Sequence, residues 1–319
     1  MLKQGTRARA TIGHDTEGLW AYFRGQYVPL AEAKVSVLTH AFNYGTAVFE
    51  GIRAYWNEED GQLYGLEFVA HYQRLLNSAR FLMMSVPHTA EELAAITVEV
   101  LRRGNLRQDV YLRPLVYKSS ESIGVRLHNL DSDVVIFGIP FGRYIDTDGG
   151  IRAQISTWRR TDDNAIPARS KLSGSYVNGA LAKTEAQLNG YDEAIVLTHD
   201  GHVSEGSAEN LFMVQRGQLI TPSVTDNILE GITRRRLMQV GSELGIPVLE
   251  RTIDRTELYQ AEEVFLCGTG AQVAPVLEID RRQIGDGTPG PITRRLSQIY
   301  FDAVRGRIDA YRDWLTPVY

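Results

Sequence analysis

The stretch Asp133-Val134-Val135-Ile136-Phe137-Gly138-Ile139-Pro140-Phe141-Gly142-Arg143-Tyr144, followed shortly by Gly149-Gly150-Ile151, decides how the chain is divided. Asp133 to Ile139 is almost entirely apolar and of strand length, which is the pattern of a strand covered on both faces. Pro140 and the glycines after it interrupt any periodicity on both sides, so residues 139–150 read as a linker. At roughly 150 residues per domain, a chain of 319 residues has room for two. The expected organisation is a small N-terminal domain over 1–138, an interdomain loop over 139–150 and a larger C-terminal domain over 151–319.

Upstream of that stretch, Leu19 to Tyr27 reads as a hairpin turning at Arg24-Gly25, and Val35 to Val37 as a short strand. Thr39 to Tyr55 is aromatic and punctuated by glycine. After a turn at Asp60-Gly61, Phe68, His71, Leu75, Ala79 and Leu82 fall at helical spacing; Thr89 opens a second helix that runs through Leu101, with Gly104 past its end. Val110 to Tyr117 is a further strand. Downstream, the sequence predicts a helix over 177–188 closed by Gly190, a strand over 193–198, a hairpin turning at Arg216-Gly217, a helix over 233–244 closed by Gly245, and a strand over 263–267 running into Gly268-Thr269-Gly270. Strands and helices alternate without regular βαβ spacing. The fold class is therefore α+β, with a small N-terminal α/β domain and barrel-like mixed sheets in the C-terminal one, and not a doubly wound nucleotide fold.

Composition narrows the function. The chain is 43% hydrophobic and 23% charged, as folded globular proteins are, and no apolar run approaches the length of a membrane span. Thirty-four basic against 39 acidic side chains leave a net charge of −5, which gives no footprint for nucleic acid. Met1 to Ala10 carries Lys3, Arg7 and Arg9 with no apolar stretch behind them, so no secretory signal and a cytoplasmic location are expected. The single Cys267 forms no intrachain disulfide, and His40, His71, His128 and His202 lack metal-ligand spacing, so no metal is expected. Only five basic residues are lysines, which makes the search for a reactive amine short.

Three features could carry chemistry. Lys171 lies in Arg169-Ser170-Lys171-Leu172-Ser173-Gly174-Ser175-Tyr176, where small residues surround one amine just before a helix. Burial there would lower its pKa and make it a nucleophile toward an aldehyde, although an ordinary loop lysine is solvated. The run Val203-Ser204-Glu205-Gly206-Ser207-Ala208-Glu209-Asn210 sets two carboxylates among small residues between strands. One of them could keep a ring nitrogen protonated, or the run could be a surface turn. Thr269 between two glycines, and Gly231-Ile232-Thr233 at a helix start, are two possible anion seats that could equally serve turns.

A reactive lysine, a carboxylate for a ring nitrogen and two anion seats together suit pyridoxal phosphate. From about Trp20 onward the chain resembles the branched-chain amino-acid aminotransferases of the fold-type IV pyridoxal-phosphate enzymes. The resemblance is carried by His40-Ala41-Phe42-Asn43-Tyr44-Gly45-Thr46-Ala47-Val48-Phe49-Glu50-Gly51-Ile52-Arg53, Tyr111-Leu112-Arg113-Pro114-Leu115, Ser204-Glu205-Gly206 through Glu209-Asn210-Leu211-Phe212, and Gly231-Ile232-Thr233-Arg234. It implies that Lys171 carries the cofactor as an aldimine and shuttles the substrate proton, that Glu205 pairs with the pyridine nitrogen, and that Tyr176 bonds the 3-oxygen. It also implies that Arg74, the N–H groups of Ile232 and Thr233, and Thr269 hold the phosphate, with Leu229 against the ring. For substrate it implies that Thr269-Gly270-Ala271 and Tyr111 seat the α-carboxylate and that Arg113 meets the distal carboxylate of glutamate. Tyr44, Phe49 and Phe141, with Gly124 and Val125 from a partner subunit, would line an apolar pocket. Arg53 is expected in a structural ion pair. Gly270 stands where alanine is commoner, and Phe141 where some members carry tryptophan. The implied activity is amino transfer between Leu, Ile or Val and 2-oxoglutarate by a ping-pong route, in a homodimer or larger homo-oligomer. A D-amino-acid transaminase or an aminodeoxychorismate lyase would share the fold; Tyr111-Leu112-Arg113 and Phe49 to Arg53 favour the branched-chain group.

Overall fold

The computed structural model describes residues 15–142 and 149–319. Met1–Ala10 and the linker residues Arg143 and Tyr144 lie outside the described residues. The first sheet comprises β1 (Trp20–Phe23), β2 (Gln26–Pro29), β3 (Ala47–Phe49), β4 (Ile52–Asn57), β5 (Gln62–Leu66), β6 (Val110–Lys118) and β7 (Ser132–Pro140). The expected hairpin at Arg24-Gly25 is present, both residues at positive φ as a two-residue turn demands. The strand read from the quoted stretch is β7, between β6 and β1 in the sheet interior. Helices α1 (His40–Tyr44), α2 (Phe68–Phe81) and α3 (Ala90–Arg103) accompany this sheet, and α2 and α3 bury Leu75, Ala79, Leu93 and Leu101 in its core. Thr89 caps α3 by accepting from the Glu92 N–H while the Glu92 carboxylate accepts from the Thr89 N–H, so the Thr-x-x-Glu spacing does fix that start.

The second sheet comprises β8 (Ile151–Arg159), β9 (Glu193–Leu197), β10 (Val203–Gly206), β11 (Asn210–Gln215), β12 (Gln218–Thr221), β13 (Val248–Glu250), β14 (Glu263–Gly268), β15 (Gln272–Ile279) and β16 (Arg282–Gln283). It mixes parallel pairs, β8 with β9 and with β15, and β12 with β13, among antiparallel ones, and forms a half-barrel as expected. Helices α4 (Tyr176–Leu188), α5 (Ile232–Glu243) and α6 (Pro291–Val304) complete the chain before β17 (Leu315–Pro317).

One expectation is corrected. Val35–Val37 is not a strand: these residues run as an irregular segment, and Val35 and Val37 are largely exposed, because no neighbouring strand offers them a ladder. The last strand, β17, which the sequence did not predict, pairs with β5 at the edge of the first sheet.

The two sheets meet through a shared apolar cluster, in which Tyr55 and Leu66 of the first pack with Phe212 and Phe265 of the second, and through specific hydrogen bonds. The Phe49 N–H donates to the Lys171 carbonyl at 3.0 Å, and Val48 bridges Leu172. The segment that carries Lys171 is thus strapped to β3 of the first sheet while α4 continues into the second.

Candidate active site

Between the two sheets lies a cavity of about 610 Å³, within the range of small-molecule sites. Its walls follow from local structure. In β6 the residues alternate, Val110, Leu112 and Val116 entering the core while Tyr111 and Arg113 face the other way into the cavity. The α5 N-terminus opens onto it at Gly231, Ile232 and Thr233, where unpaired helix N–H groups are available to an anion. Gly231 is required there: a Cβ would stand 1.9 Å from Asn210 Oδ1. The β14–β15 turn brings Thr269 and Gly270 to the same cavity.

Lys171 is half-buried, less sheltered than expected, and its Nζ donates to Tyr176 Oη at 2.5 Å. The amine also lies 5.2 Å from the Phe49 ring centre and 5.1 Å from that of Tyr176. Glu205 is buried and triply held: Arg160 Nη2 lies 2.7 Å from Oε1, while Oε2 accepts from Asn210 Nδ2 and from the Leu229 N–H, each at 3.0 Å. Burial raises its pKa, and Arg160 opposes that rise. Glu209, also on the cavity wall, is pushed well above the usual carboxylate range by burial and by the charge of Glu193. Both carboxylates of the run are buried on the cavity wall and not exposed in a surface turn. Of the two, Glu205 has a cation and two donors facing its oxygens, whereas Glu209 feels the charge of a second carboxylate, Glu193.

Arg74 reaches the cavity from α2. Its Nε and Nη2 donate to the two oxygens of Glu50, each at 2.7 Å, and its Nη1 donates to the Glu230 carbonyl at 2.8 Å. Glu50 is fully buried and is shared with His71, whose Nδ1 lies 2.7 Å from Oε2. Burial alone would raise the Glu50 carboxyl; Arg74 and His71 outweigh it and hold it at about 2. At the opposite end, the Arg113 guanidinium lies 4.4 Å above the Phe49 ring, Nη2 donates to Tyr111 Oη at 2.9 Å, and Nε is buried with no partner among the described residues. Phe141 packs 5.3 Å from the Tyr111 ring.

The cavity therefore brings together Lys171, Arg74, Tyr176, Glu205, Leu229, Ile232, Thr233, Thr269, Phe49, Tyr111, Arg113, Phe141 and Gly270. Tyr44, Gly124, Val125 and Ala271 do not line it in the single chain. Tyr44 Oη accepts from the Gly124 N–H at 3.0 Å, Val125 is 90% exposed, and Ala271 is buried behind the turn. Arg53 is corrected as well: it is buried, but its donors go to carbonyls and no described carboxylate pairs with it.

Residues 47–279 match the family described as Amino-transferase class IV. The chain belongs to the class IV aminotransferases. It is 54% identical over 301 residues to the "Probable branched-chain-amino-acid aminotransferase" of Aquifex aeolicus, an alignment covering 94% of this chain and 97% of that one. The branched-chain aminotransferase of Thermoproteus uzoniensis, solved with norvaline, superposes with a TM-score of 0.91 at 44% identity, covering 94% and 99% of the two chains. The branched-chain amino acid aminotransferase of Thermobaculum terrenum, solved in its PLP form, superposes with a TM-score of 0.91 at 38% identity over 96% and 100%. The family, the fold and the enzyme class inferred from the motifs are thereby borne out. The class IV enzymes depend on pyridoxal phosphate. The donor set fits that cofactor: an amine beside a phenol, a buried carboxylate held by an arginine, and a helix N-terminus beside an arginine in one cavity.

Three neighbours of this class IV site were not read from the sequence. Arg160 follows β8, and its approach to Glu205 depends on β8 pairing with β9 and β9 with β10. Asn210 was in the quoted motif but without a role. Lys183 pairs with buried Glu193, and not with Glu185, which bonds Ser156 and Thr157.

Proposed function

We propose that this enzyme exchanges amino groups between branched-chain L-amino acids and 2-oxoglutarate by a ping-pong route, using pyridoxal phosphate held by Lys171. The observation that carries this is the placing of Lys171 Nζ, Tyr176 Oη and the held Glu205 carboxylate in one cavity with the α5 N-terminus. Bound there, the cofactor supplies an aldehyde for the amino group and a ring that accepts the electron pair left at the α-carbon. Lys171 moves the proton to and from that carbon. Tyr176, in hydrogen-bond contact with the amine, orients it and meets the 3-oxygen. Glu205 keeps the pyridine nitrogen protonated, and Arg160 and Asn210 keep Glu205 in place. Arg74, the Ile232 and Thr233 N–H groups and Thr269 take the phosphate. Leu229 packs on the ring.

Tyr111 and the 269–271 turn receive the α-carboxylate. Phe49 and Phe141 offer apolar contact to a branched side chain, while Arg113, with one buried N–H unpaired among the described residues, offers a donor to the second carboxylate of glutamate. Tyr44, Gly124 and Val125 complete the pocket of a second copy in a homodimer, the chain divides into domains at 138 and 151, and the enzyme acts in the cytoplasm. Absorbance of the purified holoenzyme before and after L-leucine tests the reading. A cofactor band that L-leucine converts to the pyridoxamine form supports it. A band that responds to D-alanine and not to L-leucine overturns it in favour of a D-amino-acid transaminase.

A further inference from the structure

Tyr300 projects from α6 into the apolar cluster where the two sheets meet, and is 1% exposed. Its Oη is buried and makes no hydrogen bond of ordinary geometry among the described residues. Two hydroxyl side chains face it: Tyr55, from β4, and Thr233, from the first turn of α5. A buried hydroxyl without a partner is destabilising, and a phenylalanine would fill the same space without that cost. The hydroxyl therefore calls for a partner that it gains when the cavity is filled.

The neighbours give that partnership a direction. Gln272 Nε2 donates to Tyr55 Oη at 3.1 Å, which occupies the Tyr55 oxygen as an acceptor and leaves its proton to turn toward Tyr300. Burial raises the pKa of both phenols, so both keep their protons. Tyr300 then has a proton to give to Thr233 Oγ1, and Thr233, which lines the cavity, has one to give to an anion at the α5 N-terminus. Donors that run head to tail polarise one another, and an anion at the end makes the last bond charge-assisted. We propose that Tyr300 is a positioning residue for the cofactor phosphate: it accepts from Tyr55, donates to Thr233 Oγ1, and so turns the Thr233 hydroxyl proton toward the phosphate. This rests on the proposed function, which puts the phosphate at Thr233.

The test is equilibrium titration of the full chain, freed of cofactor, with pyridoxal phosphate and with pyridoxal, which has the same ring and aldehyde and no phosphate. Wild type is compared with Tyr300→Phe, Thr233→Val and the double variant. In Tyr300→Phe the Kd for pyridoxal phosphate rises about threefold to tenfold, the range for one hydrogen bond, while that for pyridoxal changes less than about twofold. Without cofactor, Tyr300→Phe is at least as stable to urea as wild type, because no bond is lost; a hydroxyl that served only the core would leave the variant less stable. The double variant binds pyridoxal phosphate no more weakly than Thr233→Val, since Tyr300 acts through that hydroxyl. Wild-type affinity in Tyr300→Phe overturns the inference, as do equal losses for pyridoxal and its phosphate, or losses that multiply in the double variant. If Tyr300→Phe does not fold, the same ratio in Tyr55→Phe, one step back along the row, decides. A Thr233→Val variant that binds pyridoxal phosphate like wild type overturns the proposed phosphate seat, and this inference with it.

Discussion

Replacing Glu50 by glutamine removes the anion that Arg74 and His71 share at one end of the cavity. The carboxyl is held at about 2 against an ordinary 4.5, which corresponds to about 3 kcal/mol of preference for the ionised form in the folded protein. Because the folded pKa is the lower one, this stabilisation is present in full above 4.5 and is lost as pH falls toward 2. At pH 3 about 1 kcal/mol is left. Glutamine keeps the shape but leaves the Arg74 cation without its counter-charge, so Glu50→Gln is expected to be about 3 kcal/mol less stable at pH 7. The assay is urea unfolding of wild type and variant at a series of pH values between 7 and 3. The gap between the two should close by more than half over that interval. A gap that stays constant with pH would mean that the carboxylate's charge is not what the site uses, and the account of Arg74 would fail.

Lys171→Ala abolishes transamination and removes the cofactor band that L-leucine converts, as absorbance shows directly. Glu205→Gln leaves the ring nitrogen without an anionic partner; kcat falls at least about tenfold with the cofactor still bound, measured by steady-state kinetics beside a pyridoxal phosphate titration. Gly231→Ala places a Cβ where Asn210 Oδ1 already stands, so Asn210 must leave Glu205 or α5 must shift. It should cost about 1–3 kcal/mol by urea unfolding and weaken cofactor binding.

What was legible in the sequence follows from how local each signal is. The α3 start was visible because Thr89 and Glu92 satisfy each other's backbone within one turn. Lys171 stood out because lysines are few and its neighbours small, and Glu205 because it sits in a compact strand-to-strand run. Lys183 finds its partner Glu193 across the turn into β9, a contact that helical spacing does not reveal. Arg53 was assigned an ion pair because a buried arginine suggests a carboxylate, but backbone carbonyls as acceptors leave no trace in residue identity. Arg160 depends on the register of three strands. Val35–Val37 has the residue types of a strand without a neighbour to pair with, and β17 is three residues long with its partner about 250 residues away.

That last pairing has a consequence for how the protein is made. Until Leu315–Pro317 has emerged during synthesis, β5 is a bare edge, with backbone donors and acceptors open to any other extended chain. The tail then fastens itself: the Val318 N–H donates to the Leu63 carbonyl, and Tyr319 Oη to that of Leu106 at 2.9 Å. The first sheet thus stays open from the synthesis of β5 until that of β17, about 250 residues later, and over that interval the edge is exposed to aggregation.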